Sequence, residues 1–186
     1  MGRKSGFSLL ELVIVVVIIG ILAVTALPKL LGSIDDAKQA SIQAMASGFA
    51  SGVMAARTQW EAQSRPTVSI GGEKYNVVEY DGVEFWLTRS KTSSGVSTGL
   101  SDGYPIALKS GVFPDSVSDQ MCIDLMENLL HSAPNMGTVS QANSDSSVQY
   151  SAQTGGTSCI YTQQEHNSAY QFVYDIKTGR VAVTLN

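Results

Sequence analysis

Glu11 is the single ionisable side chain in an apolar stretch that runs from Gly6 to Pro28. A charge near the middle of a bilayer costs about 2.5–3.5 kcal/mol, so such a residue is expected to have a function and a partner. An amine is the natural partner, because a buried charge needs pairing and hydrogen bonds. If the chain were cut after Gly6, the new α-amine of Phe7 would lie four residues before Glu11. Such an amine–carboxylate pair would specify register more than it would add stability.

Two cysteines, Cys122 and Cys159, form the second candidate for chemistry. An even number of cysteines behind an export-like N-terminal segment favours one disulfide bond in an oxidising compartment. The alternative is two unrelated buried thiols. A bond between the two would close a loop of about 38 residues, worth about 4 kcal/mol in the chain-entropy model.

Catalytic and metal-binding patterns are weak in this sequence. His131 and His166 have no Cys, Asp or Glu at metal-ligand spacing, so we interpret both as ordinary histidines. Asp175 could offer oxygens to calcium, but its place in YDIKTG fits a turn-capping aspartate better. Trp86 could stack on a sugar, although a strand aromatic usually lies in a core. No nucleophile-elbow, zincin or P-loop motif occurs, so we predict neither an enzyme nor a bound metal or cofactor.

The overall composition limits the partners. The 186 residues include 12 basic and 16 acidic side chains, with a pI of about 5.1. Beyond Arg3 and Lys4 there is no basic run, so we expect no nucleic-acid partner. The 44% of apolar residues indicates one modest domain plus a hydrophobic segment.

The N-terminal segment is long enough to span a membrane. Residues 5–28 contain 24 residues and no basic side chain, which is about 36 Å as a helix against a bilayer core of roughly 30 Å. Because Arg3 and Lys4 precede it, the N-terminus is predicted to stay cytoplasmic. Two ordinary alternatives remain: a single-pass anchor, or a secretory signal peptide cleaved near Ala23 and Ala26.

The stretch Gly6-Phe7-Ser8-Leu9-Leu10-Glu11, after a short basic leader and before a continuous apolar helix, resembles the class III signal of type IV pilins and type II secretion pseudopilins. The resemblance implies cleavage between Gly6 and Phe7 by a prepilin peptidase, N-methylation of Phe7, and subunit registration through Glu11. Gly20 and Pro28 lie where type IVa pilins carry helix-weakening residues, and glycine and proline both destabilise a helix interior. We therefore treat local melting between them on assembly as a hypothesis.

The resemblance also implies a life cycle and partners. The subunit would be held in the inner membrane as a single-pass protein, then polymerised by an assembly platform into an extracellular filament for adhesion or motility. Its partners would be other pilin subunits and the peptidase, with a surface or glycan receptor left open. The opening GFSLLELVIVVVIIGILAVTALPKLL and the tail FVYDIKTGRVAV look most similar to pilins of the mannose-sensitive haemagglutinin (MSHA) system. A minor pilin is slightly preferred there over a major one, and a pseudopilin or a secreted soluble protein remains an alternative.

An amphipathic helix is predicted after the membrane segment, from Ser33 to Ser64, with Pro66 as its stop. Gly48 and Gly52, four residues apart, are expected to allow close packing against a sheet or another helix. The buried stripe of this helix is predicted to comprise Ile42, Met45, Phe49, Val53, Ala56 and Trp60.

The remaining sequence favours an antiparallel β-sheet head with one short helix. Asp81-Gly82 joins two β-rich runs as a hairpin, and SVSDQMCIDLMENLLHSAPN predicts a helix with Cys122 on its buried face. Four short strands are predicted near the C-terminus. The chain is thus expected to be an α+β protein with the pilin fold. Its predicted parts are a leader (1–6), a transmembrane and filament-core helix segment (7–31), an amphipathic helix on the head (32–64) and the head itself (65–186).

Overall fold

The computed structural model describes residues 8–164 and 170–185, and the chain divides into two compact units between Ala40 and Ser41. Helix α1 is Leu9–Ala62. It ends where Ser64 and Arg65 adopt left-handed backbone angles, φ 64° and 57°, just before Pro66. Helix α1 therefore ends shortly before Pro66, as the sequence predicts.

Among the described residues, nine strands and two short helices follow α1, and the strands form two sheets. The first sheet has the order β1-β2-β3-β4, all antiparallel: β1 Thr67–Ile70, β2 Glu73–Tyr80, β3 Val83–Leu87 and β4 Pro105–Leu108. The second has the order β5-β6-β7-β8-β9: β5 Met136–Thr138, β6 Tyr150–Thr154, β7 Ser158–Gln163, β8 Gln171–Asp175 and β9 Arg180–Thr184. Helix α2, Asp119–Leu129, contacts β4 of the first sheet and β5, β6 and β7 of the second.

The second unit has a core that the part of α1 from Ser41 to Ala62 shares with the sheets. Phe49 is fully buried, and its ring lies 5.4, 5.9 and 5.3 Å from the rings of Tyr161, Phe172 and Tyr174. Each such burial is worth roughly 1.5–3 kcal/mol. The predicted α+β class, a long helix whose later half packs on antiparallel strands, is confirmed. In the predicted stripe, Met45 is partly buried and the other members are buried.

Local signals account for the elements that were predicted. Asp81 and Gly82 have φ of 50° and 79°, which is the conformation that a two-residue hairpin needs, and they pair β2 with β3. The Ser118 hydroxyl caps α2 by accepting a hydrogen bond from the Met121 amide. Strands β6 to β9 form the predicted antiparallel meander.

Several elements differ from the sequence predictions. Strands β1 and β4 and the parallel pairing of β5 with β6 were not predicted. The polar stretch at 137–147, where no helix was predicted, contains helix α3, Val139–Ser144. A capping box between Thr138 and Gln141 starts α3, and none of its residues is buried. A helix without a buried face gives no apolar periodicity, which explains why it was missed.

Candidate assembly segment and surfaces of the globular unit

The first part of α1 exposes apolar side chains on every side. Leu9 is 80% exposed and Val24 is 75% exposed, and the large apolar residues between them are exposed as well. Its most apolar window has a mean hydropathy of 3.0, and by length and composition α1 is the one helix among the described residues that could cross a membrane. An all-round apolar helix needs a lipid or protein environment. This property fits membrane anchoring.

Glu11 lies in the first turn of α1, where its carboxylate Oε2 accepts a hydrogen bond from the Ser8 amide at 3.4 Å. Ser8 and Glu11 have the S-x-x-E spacing of a capping box, in which the carboxylate satisfies an amide at the helix start. Sequence reasoning missed this local role, although the spacing alone could have revealed it. The predicted cleavage residues Gly6 and Phe7 lie outside the described residues.

Gly20 and Pro28, the predicted weak points, both lie within the helical span of α1. A Cβ built on Gly20 would meet no atom within 4 Å, so packing among the described residues does not require a glycine there. The hydroxyl of Thr25, between them, donates to the Leu22 carbonyl at 2.9 Å, which satisfies a polar group in an apolar segment. Local melting on assembly stays a prediction.

The small residues Gly48 and Gly52 face the end of α2. A Cβ on Gly52 would lie 2.3 Å from the Leu129 carbonyl oxygen, and one on Gly48 would lie 3.2 Å from Leu130 Cδ2. The close approach predicted for this surface is therefore made by a helix of the same unit.

Cys122 and Cys159 form a disulfide bond, with Cα atoms 5.5 Å apart, that ties α2 to β7. Both residues are fully buried. Beside them, the Tyr161 hydroxyl donates to the Cys122 carbonyl at 2.8 Å. Burial raises the pKa of Tyr161 well above its ordinary value, so the phenol stays protonated and remains a donor.

The other residues that the sequence suggested for ligand binding are Asp175, Trp86 and the two histidines. Asp175 accepts hydrogen bonds from the Lys177 amide at 3.1 Å and the Thr178 hydroxyl at 2.7 Å, which caps the turn before β9. Trp86 is buried in the core, and His131 is exposed, whereas His166 is outside the described residues. Across residues 8–164 and 170–185, no group of three His, Cys, Asp or Glu side chains could hold a metal ion.

Comparison with known proteins identifies the class of the N-terminal segment. Residues 1–27 match the family described as prokaryotic N-terminal methylation motif. The chain is also similar to the type IV narrow pilus major component PilA5 of Thermus thermophilus, with 43% identity over 65 residues. That match covers 35% of this chain and 54% of the relative, so the chain spans about half the length of the relative. No solved structure matches the chain. Both similarities support the type IV pilin family.

Proposed function

We propose that this chain is a structural subunit of a type IV pilus. It is made as a precursor, cut between Gly6 and Phe7, methylated on the new terminus, held in the membrane by the apolar part of α1, and then polymerised. The observation that carries the proposal is the methylation motif at residues 1–27, which includes the apolar first part of α1 that is exposed on every side. A helix of this kind can exchange a lipid environment for the neighbouring helices of a filament without exposing apolar surface to water.

Glu11 has a distinct role in this proposal. Before processing, its carboxylate caps its own helix by accepting a hydrogen bond from the Ser8 amide. Once Phe7 carries a free amine, the carboxylate of one subunit can pair with the amine of another, since opposite charges in a low-dielectric environment attract strongly. The amine is created by the cleavage, so assembly would depend on processing.

Mass spectrometry of the mature N-terminus tests the processing step. An N-methylated chain that starts at Phe7 is the expected result. A chain that starts near Leu27 would contradict the proposal and identify a secreted protein with an ordinary signal peptide.

Glu11→Gln tests the assembly step, with Asp36→Asn as a matched control that removes a carboxylate farther along α1. Both variants should insert into the membrane, and Asp36→Asn should enter filaments normally. Glu11→Gln should stay in the membrane, because an amide has no charge to pair with the Phe7 amine. Normal incorporation of Glu11→Gln would overturn the proposed role of Glu11.

A narrower proposal is an MSHA-like pilin, supported by the sequence likeness of the N-terminal segment and the last strands. The competing function, a pseudopilin of a type II secretion system, shares the same N-terminal features. Imaging a tagged subunit on surface fibres supports the pilus, whereas loss of secretion without loss of fibres on deletion of the protein indicates the pseudopilin.

A further inference from the structure

A polar pocket of about 280 Å³ lies between strand β2 and the loop that follows β3. This volume is just below the range of about 300–1,000 Å³ that is typical of small-ligand sites, so it suits a single small group. Its lining includes three cationic side chains, Lys74, Arg89 and Lys91, and one carboxylate, Asp102. The protein as a whole has a net charge of −4, so this local excess of positive charge runs against the overall balance.

Hydrogen bonds hold the rim of the pocket in place. The Ser93 hydroxyl accepts a hydrogen bond from the Lys74 amide at 2.8 Å, and Glu73 Oε2 accepts one from the Ser93 amide at 3.1 Å. Asp102 accepts from both the amide and the hydroxyl of Ser90, at 2.6 and 2.8 Å. A pocket whose rim is already ordered loses less entropy when a ligand binds.

The carboxylates of Glu73 and Asp102, next to the pocket, already accept hydrogen bonds from neighbouring residues, whereas Lys74 and Lys91 form no salt bridge among the described residues. Glu73 forms a 2.6 Å ion pair with Arg89, whose guanidinium also lies 4.1 Å from the centre of the Tyr75 ring. Among the described residues, the salt bridges involve Arg57, Arg65, Arg89 and Lys109 but neither Lys74 nor Lys91. Both lysines are exposed, so their ammonium groups are accessible from solvent.

We propose that this pocket binds the carboxylate of an acidic sugar, such as a uronic acid unit of a polysaccharide, through Lys74 and Lys91. Ammonium groups are donors without acceptor capacity, so an anionic oxygen is their best ligand. The side-chain oxygen of Asn76, whose amide nitrogen donates to the Thr88 carbonyl at 2.8 Å, and the hydroxyl of Ser93 also line the pocket and can bind sugar hydroxyls. A nucleic acid is disfavoured, because the pocket is a single compact site and not the extended basic track that follows a phosphate backbone.

Calorimetric titration of the full-length chain in non-ionic detergent tests the site, with an oligogalacturonate as the probe and a neutral galactose oligomer as the comparison. Binding of the acidic oligomer that weakens with added salt, together with no binding of the neutral one, is expected. The test uses the unassembled chain, so its outcome is independent of whether the protein forms filaments.

The double variant K74Q/K91Q should weaken binding about tenfold or more, because two charged hydrogen bonds are lost. K38Q/K109Q is the matched control: it removes two positive charges outside the pocket and should bind like the unaltered chain. K74R/K91R keeps both charges and should retain binding. Equal affinity of K74Q/K91Q and the unaltered chain, or equal binding of the neutral oligomer, would overturn the proposal. A DNA fragment that binds at these lysines while the oligogalacturonate does not would replace the sugar with a nucleic acid.

Discussion

The backbone of α1 at Gly52 lies against the Leu129 carbonyl at the end of α2, so closely that a Cβ on Gly52 would come within 2.3 Å of that oxygen. Both residues are buried, and the carbonyl belongs to main chain that cannot rotate away. Gly52 therefore fixes the distance between the two helices.

Gly52→Ala should destabilise the second unit, by about 1–3 kcal/mol as is typical of overpacking. Gly48→Ala is the matched control in the same helix. Its Cβ would meet only the end of the Leu130 side chain, at 3.2 Å, which can shift. The gain in helix propensity, about 1 kcal/mol, should then offset most of the cost. Thermal unfolding followed by tryptophan fluorescence measures both, and equal stability of the two variants would contradict the assignment.

Gly179 adopts φ +72°, and a Cβ there would lie 2.0 Å from the Tyr104 ring. The ring also lies 4.4 Å from the Arg57 guanidinium of α1, so its displacement would disturb the contact with that helix. Gly156 has nearly the same angle, φ +73°, with open space around it. Gly179→Ala should therefore lower the unfolding temperature more than Gly156→Ala, because both variants place a Cβ on a left-handed backbone but only Gly179→Ala adds a steric clash. Similar losses in the two variants would show that backbone strain alone matters.

Replacing both cysteines, Cys122→Ser with Cys159→Ser, should lower the free energy of unfolding by about 4 kcal/mol on the chain-entropy model. The bond joins residues 37 apart in sequence. Reduction of the unaltered chain should give a loss of similar size, and reductant should leave the double variant unchanged. A double variant as stable as the oxidised chain would show that packing alone holds α2 on β7.

The stability of the loop after β3 should depend on pH through the ionisation of Glu73. Hydrogen bonds from the Ser93 amide and from Arg89 hold the pKa of Glu73 below its ordinary value of 4.5. A depressed pKa in the folded state contributes stability that is present above pH 4.5 and is lost as the pH falls through the folded-state pKa.

Glu73→Gln should accordingly lower the unfolding temperature near neutral pH, and the difference from the unaltered chain should shrink below pH 4.5. Glu127→Gln, on the exposed side of α2, controls for the change in net charge. A difference that stayed constant from neutral to acidic pH would mean that the Glu73 carboxylate is not the group involved.

The strongest predictions from sequence were those in which a few neighbouring residues carry the whole signal. The Asp81-Gly82 turn and the buried stripe through Phe49 follow from local backbone chemistry and helical periodicity. The pairing of Ser8 with Glu11 belongs to the same class and could have been predicted from its spacing. Helix α3 and strand β5 were missed because six- and three-residue elements carry too little periodicity.

The sequence by itself determined the apolar segment with its single carboxylate, the helical stripe, the hairpin turn and the identity of the two cysteines that can pair. Only the tertiary structure decided the division of strands into two sheets, the parallel partner of β6, the contact of Gly52 with Leu129, and the pocket that joins Lys74 to Lys91. The physical reason is the separation in sequence between the residues that make each contact. Turns, caps and amphipathic faces are set by residues within about one or two helical turns, whereas these contacts join residues far apart in the chain, and their energies depend on how the whole core packs.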